Sequence, residues 1–299
     1  MAKAFAKDPG TYVGEPVVDF VKAPQLVDTI IETGAAKASL PLGQLFVRGM
    51  LGGAFLAYGT SMAFFGIAQG MIPIMAALLF PTGFIAINII QADLATGYFA
   101  FIPMAFIHGR MSFAQVISRF FWVYIANLAG SLVYAGLLWA ALTYFGNQPD
   151  ASGIGAVAIK TANFKVTHYI PFGFAGMATA FIKAILCNWW VTMGVVLPYA
   201  TRSAVGKALL TFVPIYMFFS MGWEHLIVNM YIMPFAMLMG AQITWAQWWT
   251  WNEIPVTIGN FVGGFLFTGL ALGWTYYSRR PAEDAVLGSL SGAAGVPAK

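Results

Sequence analysis

Two short polar runs interrupt long apolar stretches of this chain. One is Gln91-Ala92-Asp93-Leu94-Ala95-Thr96-Gly97 and the other is Gly222-Trp223-Glu224-His225. A carboxylate in the middle of a bilayer-spanning stretch costs at least about 2.5–3.5 kcal/mol and faces protein or a water-filled cavity. His225 adds an imidazole, the side chain that gains or loses a proton near physiological pH. These types suit holding a small charged solute, or handing it a proton, rather than cleaving a covalent bond. No Ser/His/Asp grouping and no metal-ligand spacing is present. A haem would require paired axial histidines, and only His225 sits in an apolar stretch. The single cysteine, Cys187, excludes an intrachain disulfide framework or a multi-Cys metal site. No cofactor, no enzymatic activity and no nucleic-acid partner is expected.

The elements that must position these runs follow from composition. Of 299 residues, 60% are hydrophobic and 9% charged, where a soluble domain carries about 25% charged residues. Lipid is the solvent that fits, so the bilayer is the first expected partner. A span takes roughly 20 apolar residues. Spans are expected near 45–70, 72–107 (interrupted), 113–145, 180–200, 208–240 (interrupted) and 255–278. The third is too long to stand upright and should tilt or project. Residues 1–40 read as a cytoplasmic leader ending in an amphipathic approach to the membrane, 41–280 as the six-span transmembrane domain, and 281–299, rich in Gly, Ala and Ser, as a flexible cytoplasmic tail. With six spans both termini share one side. Lys3, Lys7, Lys22, Lys37, Arg48, Arg110, Arg119, Arg202, Lys207, Arg279, Arg280 and Lys299 fall on that side, against Lys160, Lys165 and Lys183 on the other. The positive-inside rule therefore makes both ends cytoplasmic, in the inner (plasma) membrane.

The chain also repeats itself, over about 41–146 and 172–280. Phe46-Val47-Arg48 and Gly59 match Phe181-Ile182-Lys183 and Gly194. Phe80-Pro81 matches Val213-Pro214, and ANLAGSLVYAG (126–136) matches GNFVGGFLFTG (259–269), aligning Asn127 with Asn260 and Gly130 with Gly263. Three spans per half is an odd number, so the halves run oppositely through the membrane. Inverted repeats with broken helices mark transport proteins that handle substrate at the repeat interface. The expected fold is an all-α integral membrane protein of six spans in two inverted three-span repeats, with the second and fifth helices interrupted.

The segments FPTGF and ADLATG, FIKAILCNWWV, GWEHLIVNMYIMP and PVTIGNFVGG resemble those of the formate/nitrite transporter family over roughly residues 30–280. The resemblance implies a homopentamer of aquaporin-like protomers, each with its own pore for a small monovalent anion such as formate, nitrite or hydrosulfide. It places the loop Leu94-Ala95-Thr96 and the central His225 between two hydrophobic constrictions, at Phe80, Phe84, Leu94, Ala95, Val191 and Phe218. Asn188, Glu224 and Asn229 match the polar positions around the histidine, and Lys165 matches an outer-vestibule lysine, with Lys160 as the fallback. Ala95 stands where the family loop usually has Phe, Tyr98 where Asn is common, and Phe84 where a smaller aliphatic is usual.

Plainer readings compete at several positions. His225 alone would suit an interhelical hydrogen bond. Glu224 reads better as a structural partner for the break than as a proton carrier. Asp93 reads as a cap of the broken half-helix, and Thr96 could be a cap or back-bonded. Arg48 and Lys183 suit interfacial snorkelling, Cys187 packing, and 245-WAQWWTW-251 an interfacial aromatic belt. A hydrosulfide or other small-anion channel, or a neutral-solute channel of the water or ammonia type, are the alternative functions. Whether the leader gates the inner mouth is open.

Overall fold

The computed structural model describes residues 19–277 and is all-helical. The leader residues before Asp19, with Lys3 and Lys7, and the tail 281–299, with Arg279, Arg280 and Lys299 at or beyond its edge, lie outside the described residues. The helices are numbered here α1 (Ala23–Ser39), α2 (Leu42–Ala68), α3 (Pro73–Ile90), α4 (Ala95–Ile107), α5 (Phe113–Thr143), α6 (Ile154–Lys165), α7 (Phe174–Ala200), α8 (Ala204–Ser220), α9 (Leu226–Leu238) and α10 (Trp245–Tyr276). Five of them, α2, α3, α5, α7 and α10, are long and apolar enough to cross a membrane, and α4, α8 and α9 are shorter apolar helices.

Both interruptions fall where the polar runs lie. Between α3 and α4 the chain passes through Gln91 in the left-handed conformation, φ 57°. Between α8 and α9 it passes through Gly222 at φ 65°. The helices that restart, α4 and α9, have 13 residues each. At 1.5 Å per residue each is about 20 Å long, too short to span alone. Each also carries an internal proline, Pro103 and Pro234. Helix α5 has 31 residues, about 46 Å, and so exceeds the hydrocarbon thickness as its sequence requires.

Long helices pack in pairs through glycine. A Cβ on Gly130 of α5 would strike the Met50 carbonyl of α2, and one on Gly263 of α10 would strike the Ile185 carbonyl of α7. The absence of a side chain lets these backbones touch, as small-residue interfaces in membranes do. Close backbone packing thus occurs at both glycines that the repeat aligns.

Several boundaries differ from the sequence expectation. Helix α7 starts at Phe174 rather than 180, and α10 at Trp245 rather than 255. The early start of α10 comes from a capping box, Thr244 with Gln247, which hydropathy does not register. The Trp run is helical, and it is only partly an aromatic belt: Trp245 is exposed, while Trp248 is fully buried. Helix α6 was not expected, since its Ala- and Lys-containing sequence is too polar for a span. It packs against α2 and α9.

Candidate functional site

The two restarts are held by one device used twice. The Asn127 carboxamide of α5 accepts the Ala95 N–H at 2.8 Å and donates to the Asp93 and Gly49 carbonyls, each at 2.8 Å. The Asn260 carboxamide of α10 accepts the Leu226 N–H at 2.9 Å and donates to the Glu224 carbonyl at 3.0 Å and the Ala184 carbonyl at 2.8 Å. Both asparagines are fully buried. Each closes the hydrogen-bonding gap that a broken helix opens where water is scarce.

The carboxylates of the breaks are paired with lysines. Asp93 bonds Lys37 of α1, and Glu224 bonds Lys165, the last residue of α6, at 2.9 Å. The structure therefore corrects one expectation: Asp93 does not cap α4, since Lys37 holds its carboxylate and Asn127 satisfies the first N–H instead. Glu224 is the richer hub. Its Oε2 accepts from Lys165, Asn229 at 2.9 Å and Asn252 at 3.1 Å, and its Oε1 accepts from the Tyr169 hydroxyl at 2.9 Å. Lys165 also donates to the Trp223 carbonyl at 3.2 Å. Between the two candidate lysines the geometry distinguishes clearly, since Lys160 is exposed on the outer side of α6 and Lys165 is buried at the break.

His225 is the N-cap of α9. Its Nδ1 accepts the Val228 N–H at 3.2 Å, so in this state the ring hydrogen sits on Nε2. That Nε2 and the Thr96 Oγ1 are buried with no hydrogen-bond partner among the described residues. Thr96 is thus neither a cap nor back-bonded. Its carbonyl instead accepts from Asn188 at 3.2 Å, and Asn188 also donates to the Asn260 carbonyl at 2.6 Å. Asn188 therefore ties the α4 restart to α10, and Asn229 ties α9 to Glu224 and Asn252.

Apolar groups flank these polar atoms. Phe218 stacks on the His225 ring with centroids 5.3 Å apart, and Phe80 meets Phe218 edge-on at 5.6 Å. Phe219 stacks on Phe80 at 4.0 Å. Leu94 lines a cavity of about 320 Å³ beside Lys37, Arg48, Ile87, Tyr98 and Lys207. Ala95 is buried at the first position of α4, and Val191 is buried one turn beyond Asn188. Phe84 is buried in the same core but makes no ring contact with Phe80 or Phe218. Sequence reasoning missed Lys37, Tyr169, Asn252 and Phe219. It also aligned Asn127 with Asn260 without giving either a task, although an amide recurring in an apolar helix is a signal that a backbone group waits for it.

The described residues thus form an all-helical protein with several helices long and apolar enough to cross a membrane, two clamped helix breaks and a buried histidine stacked on an aromatic ring. The comparisons make this specific. Residues 24–274 match the family model described as formate/nitrite transporter. A probable formate transporter of Methanothermobacter thermautotrophicus is 31% identical over 255 residues, covering 80% of this chain and 91% of the relative. The formate channel FocA of Escherichia coli K12 is 31% identical over 250 residues, covering 76% and 82%. Among solved structures, an FNT family ion channel aligns with TM-score 0.70 at 23% identity, covering 84% of this chain and 98% of that one. A pentameric formate channel with formate bound aligns with TM-score 0.64 at 23% identity, covering 79% and 97%. The chain belongs to the formate/nitrite transporter family, whose described relatives are transporters or channels, and is a multi-pass membrane protein that transports anions.

Proposed function

We propose that the chain conducts a small monovalent weak-acid anion of the formate or nitrite type, linked to a proton, through a pore in each protomer of a homopentamer. The observation that carries this reading is the pair of buried, unpartnered polar atoms, His225 Nε2 and Thr96 Oγ1, at two clamped helix restarts. The six-span inverted-repeat arrangement is part of the same proposal. It is supported by the paired asparagine clamps, the paired lysine–carboxylate contacts and the equal lengths of α4 and α9. Both termini are placed on the cytoplasmic side of the inner membrane on the charge asymmetry of the loops.

On this reading Lys165 draws anions to the outer mouth, and the Phe80–Phe218 pair forms the first dry constriction. His225 and Thr96 then donate hydrogen bonds to the anion's oxygens. With Nδ1 engaged by the Val228 N–H, the imidazole acts as a neutral donor that orients the anion. Leu94 and Ala95 form the second constriction, with Ile87 beside the exit. A bare charge in such a constriction costs far too much, so the solute crosses it as the neutral acid, with the proton taken up from the outer water rather than from the neutral imidazole. Apolar rings offer no directional recognition, and selection rests on size and weak-acid character.

The test is flux of formate, nitrite and hydrosulfide into proteoliposomes as a function of external pH, with glycerol and methylammonium as neutral and cationic controls. Formate or nitrite uptake that rises as pH falls is expected. Glycerol or methylammonium permeation without formate uptake would overturn the reading.

A further inference from the structure

Among the described residues, Asp93, Glu224 and Glu253 are fully buried carboxyl groups, and the first two hold lysines. Glu253 holds none. It closes a π-helical turn, Trp249–Glu253, about 12 Å along α10 from its first residue. Its Oε2 accepts from the Trp248 indole N–H at 3.0 Å and its Oε1 from the Tyr124 hydroxyl of α5 at 3.1 Å. A fully buried ionisable group in a helix apolar enough to cross a membrane, with no opposite charge bonded to it, is a functional candidate by default.

The two partners differ in kind. The indole N–H only donates, which fixes Oε2 as an acceptor. A phenol hydroxyl both donates and accepts, so Tyr124 can donate to a carboxylate or, after rotating, accept the O–H of a neutral acid. Both charge states of Glu253 therefore keep all their hydrogen bonds without moving a heavy atom. Of the titratable groups on the elements packed around the turn, Lys183 of α7 donates to the Tyr169 hydroxyl, Cys187 of α7 is a buried thiol, and Tyr231 of α9 shares a hydrogen with Ser61. Tyr124 of α5 alone among them bonds the carboxyl group.

The preceding residue connects this turn to the transport site. Asn252 donates to Glu224 Oε2 and to the Lys165 carbonyl at 2.9 Å, and accepts from Asn229 at 2.8 Å. The π-turn is what buries Asn252 and Glu253 together, although adjacent residues of an α-helix point 100° apart. A charge on Glu253 thus stands one residue from the cluster that holds Lys165 and precedes His225.

We propose that Glu253 is a second proton-binding group, with its proton carried on Oε1 toward Tyr124, and that its charge state sets how readily an anion occupies the site beside Glu224 and His225. The first half stands on the geometry of the turn, and the second rests on the transport reading above. An ionised Glu253 adds a negative charge to the neighbourhood an anion must enter. Two like charges on the order of 10 Å apart at an effective dielectric of about 20 repel enough to lower occupancy on the order of tenfold, and that is the size of effect assigned to Glu253.

The experiment pairs pH-difference infrared spectra of the reconstituted protein with formate flux, for wild type, Glu253→Gln and Tyr124→Phe. A carboxylic-acid carbonyl band that titrates in wild type, shifts in Tyr124→Phe and is missing from Glu253→Gln is expected. The Glu253→Gln variant should also need about tenfold less formate for half-saturation at alkaline pH, with a flattened pH profile. A band unchanged in both variants overturns the proton site, and a lost band with an unchanged flux profile overturns its coupling to transport. Should Glu253→Gln fail to assemble, the wild-type band and its shift in Tyr124→Phe decide the matter alone. Wild-type protein that carries no anion at any pH would sink the transport reading and leave the infrared result standing.

Discussion

Asn127 and Asn260, 133 positions apart, make the same three hydrogen bonds. Each accepts the first N–H of a half-helix, donates to the carbonyl two residues earlier, and donates to a carbonyl of a long packed helix, Gly49 in one case and Ala184 in the other. The breaks are thereby fixed to α2 and α5 in one half and to α7 and α10 in the other.

Replacing either asparagine by leucine strands one N–H and two carbonyls. A buried unsatisfied group costs about 1–3 kcal/mol, so Asn127→Leu or Asn260→Leu should lose about 3 kcal/mol or more and fall in thermal midpoint in detergent. Asn260→Asp, which sets a carboxylate oxygen against the Glu224 and Ala184 carbonyls, should fall at least as far. Wild-type midpoints for all variants would show that the clamp does not carry the break.

Lys165 and Glu224 form a buried pair with side-chain exposures of 9% and 0%. Removing one member of such a pair leaves an uncompensated charge and costs about 3–5 kcal/mol. Lys165→Met should therefore destabilise more than the double variant Lys165→Met/Glu224→Gln. Additive losses would show that the two groups do not depend on each other.

At His225 the cap and the solute contact can be separated. His225→Asn keeps an acceptor suited to the α9 N-cap and lacks the Nε2 donor, so stability should hold within about 0.5 kcal/mol while formate flux falls at least about tenfold. His225→Ala should lose the cap as well, about 1 kcal/mol. Wild-type flux and pH profile in folded His225→Asn would remove the histidine from the pathway.

The start of the described chain is fastened by Asp19. Its carboxylate accepts from the Thr201 hydroxyl at 2.6 Å and from the Arg202 and Ser203 N–H groups at 2.7 and 3.2 Å. The Thr201 hydroxyl first, then the Arg202 N–H, hold this exposed carboxyl below its ordinary value. The fastening is thus fully present above the unfolded aspartate value, about 3.9, and is lost as pH falls through the lower folded value. Hydrogen exchange at Arg202 and Ser203 should accelerate only in that acidic window, and Asp19→Asn should show the fast exchange at neutral pH. Uniform protection across that range would refute the tether.

Much of this was legible in the residues. Apolar length located the five helices long and apolar enough to cross a membrane, because burial in lipid writes itself as uninterrupted hydropathy. The polar runs located both breaks for the converse reason. Contacts between side chains far apart in sequence were not legible. Lys37 looked like one more cytoplasmic cation, and only the path of α1 across α4 brings it to Asp93. Trp248 read as part of a belt because the following π-turn, which ends at the Glu253 that its indole bonds, has no signature in hydropathy. Lys165 was harder to choose over Lys160, since the choice depends on which side of an unforeseen helix meets the break.

The asparagine clamps leave the two half-helices unequal. In the first turn of α4 the Ala95 N–H is spent on Asn127, while the Thr96 and Gly97 N–H groups keep no partner among the described residues. In α9 the Leu226 N–H is spent on Asn260 and the Val228 N–H on His225, which leaves the Ile227 N–H alone. Free amides at a helix start attract negative charge, so on the proposed transport reading the resting place for an anion lies off centre, toward α4. A passive pore still brings both sides to the same equilibrium. On that reading its half-saturation differs with the side from which the solute is offered wherever the two mouths admit the anion to this eccentric well at different rates.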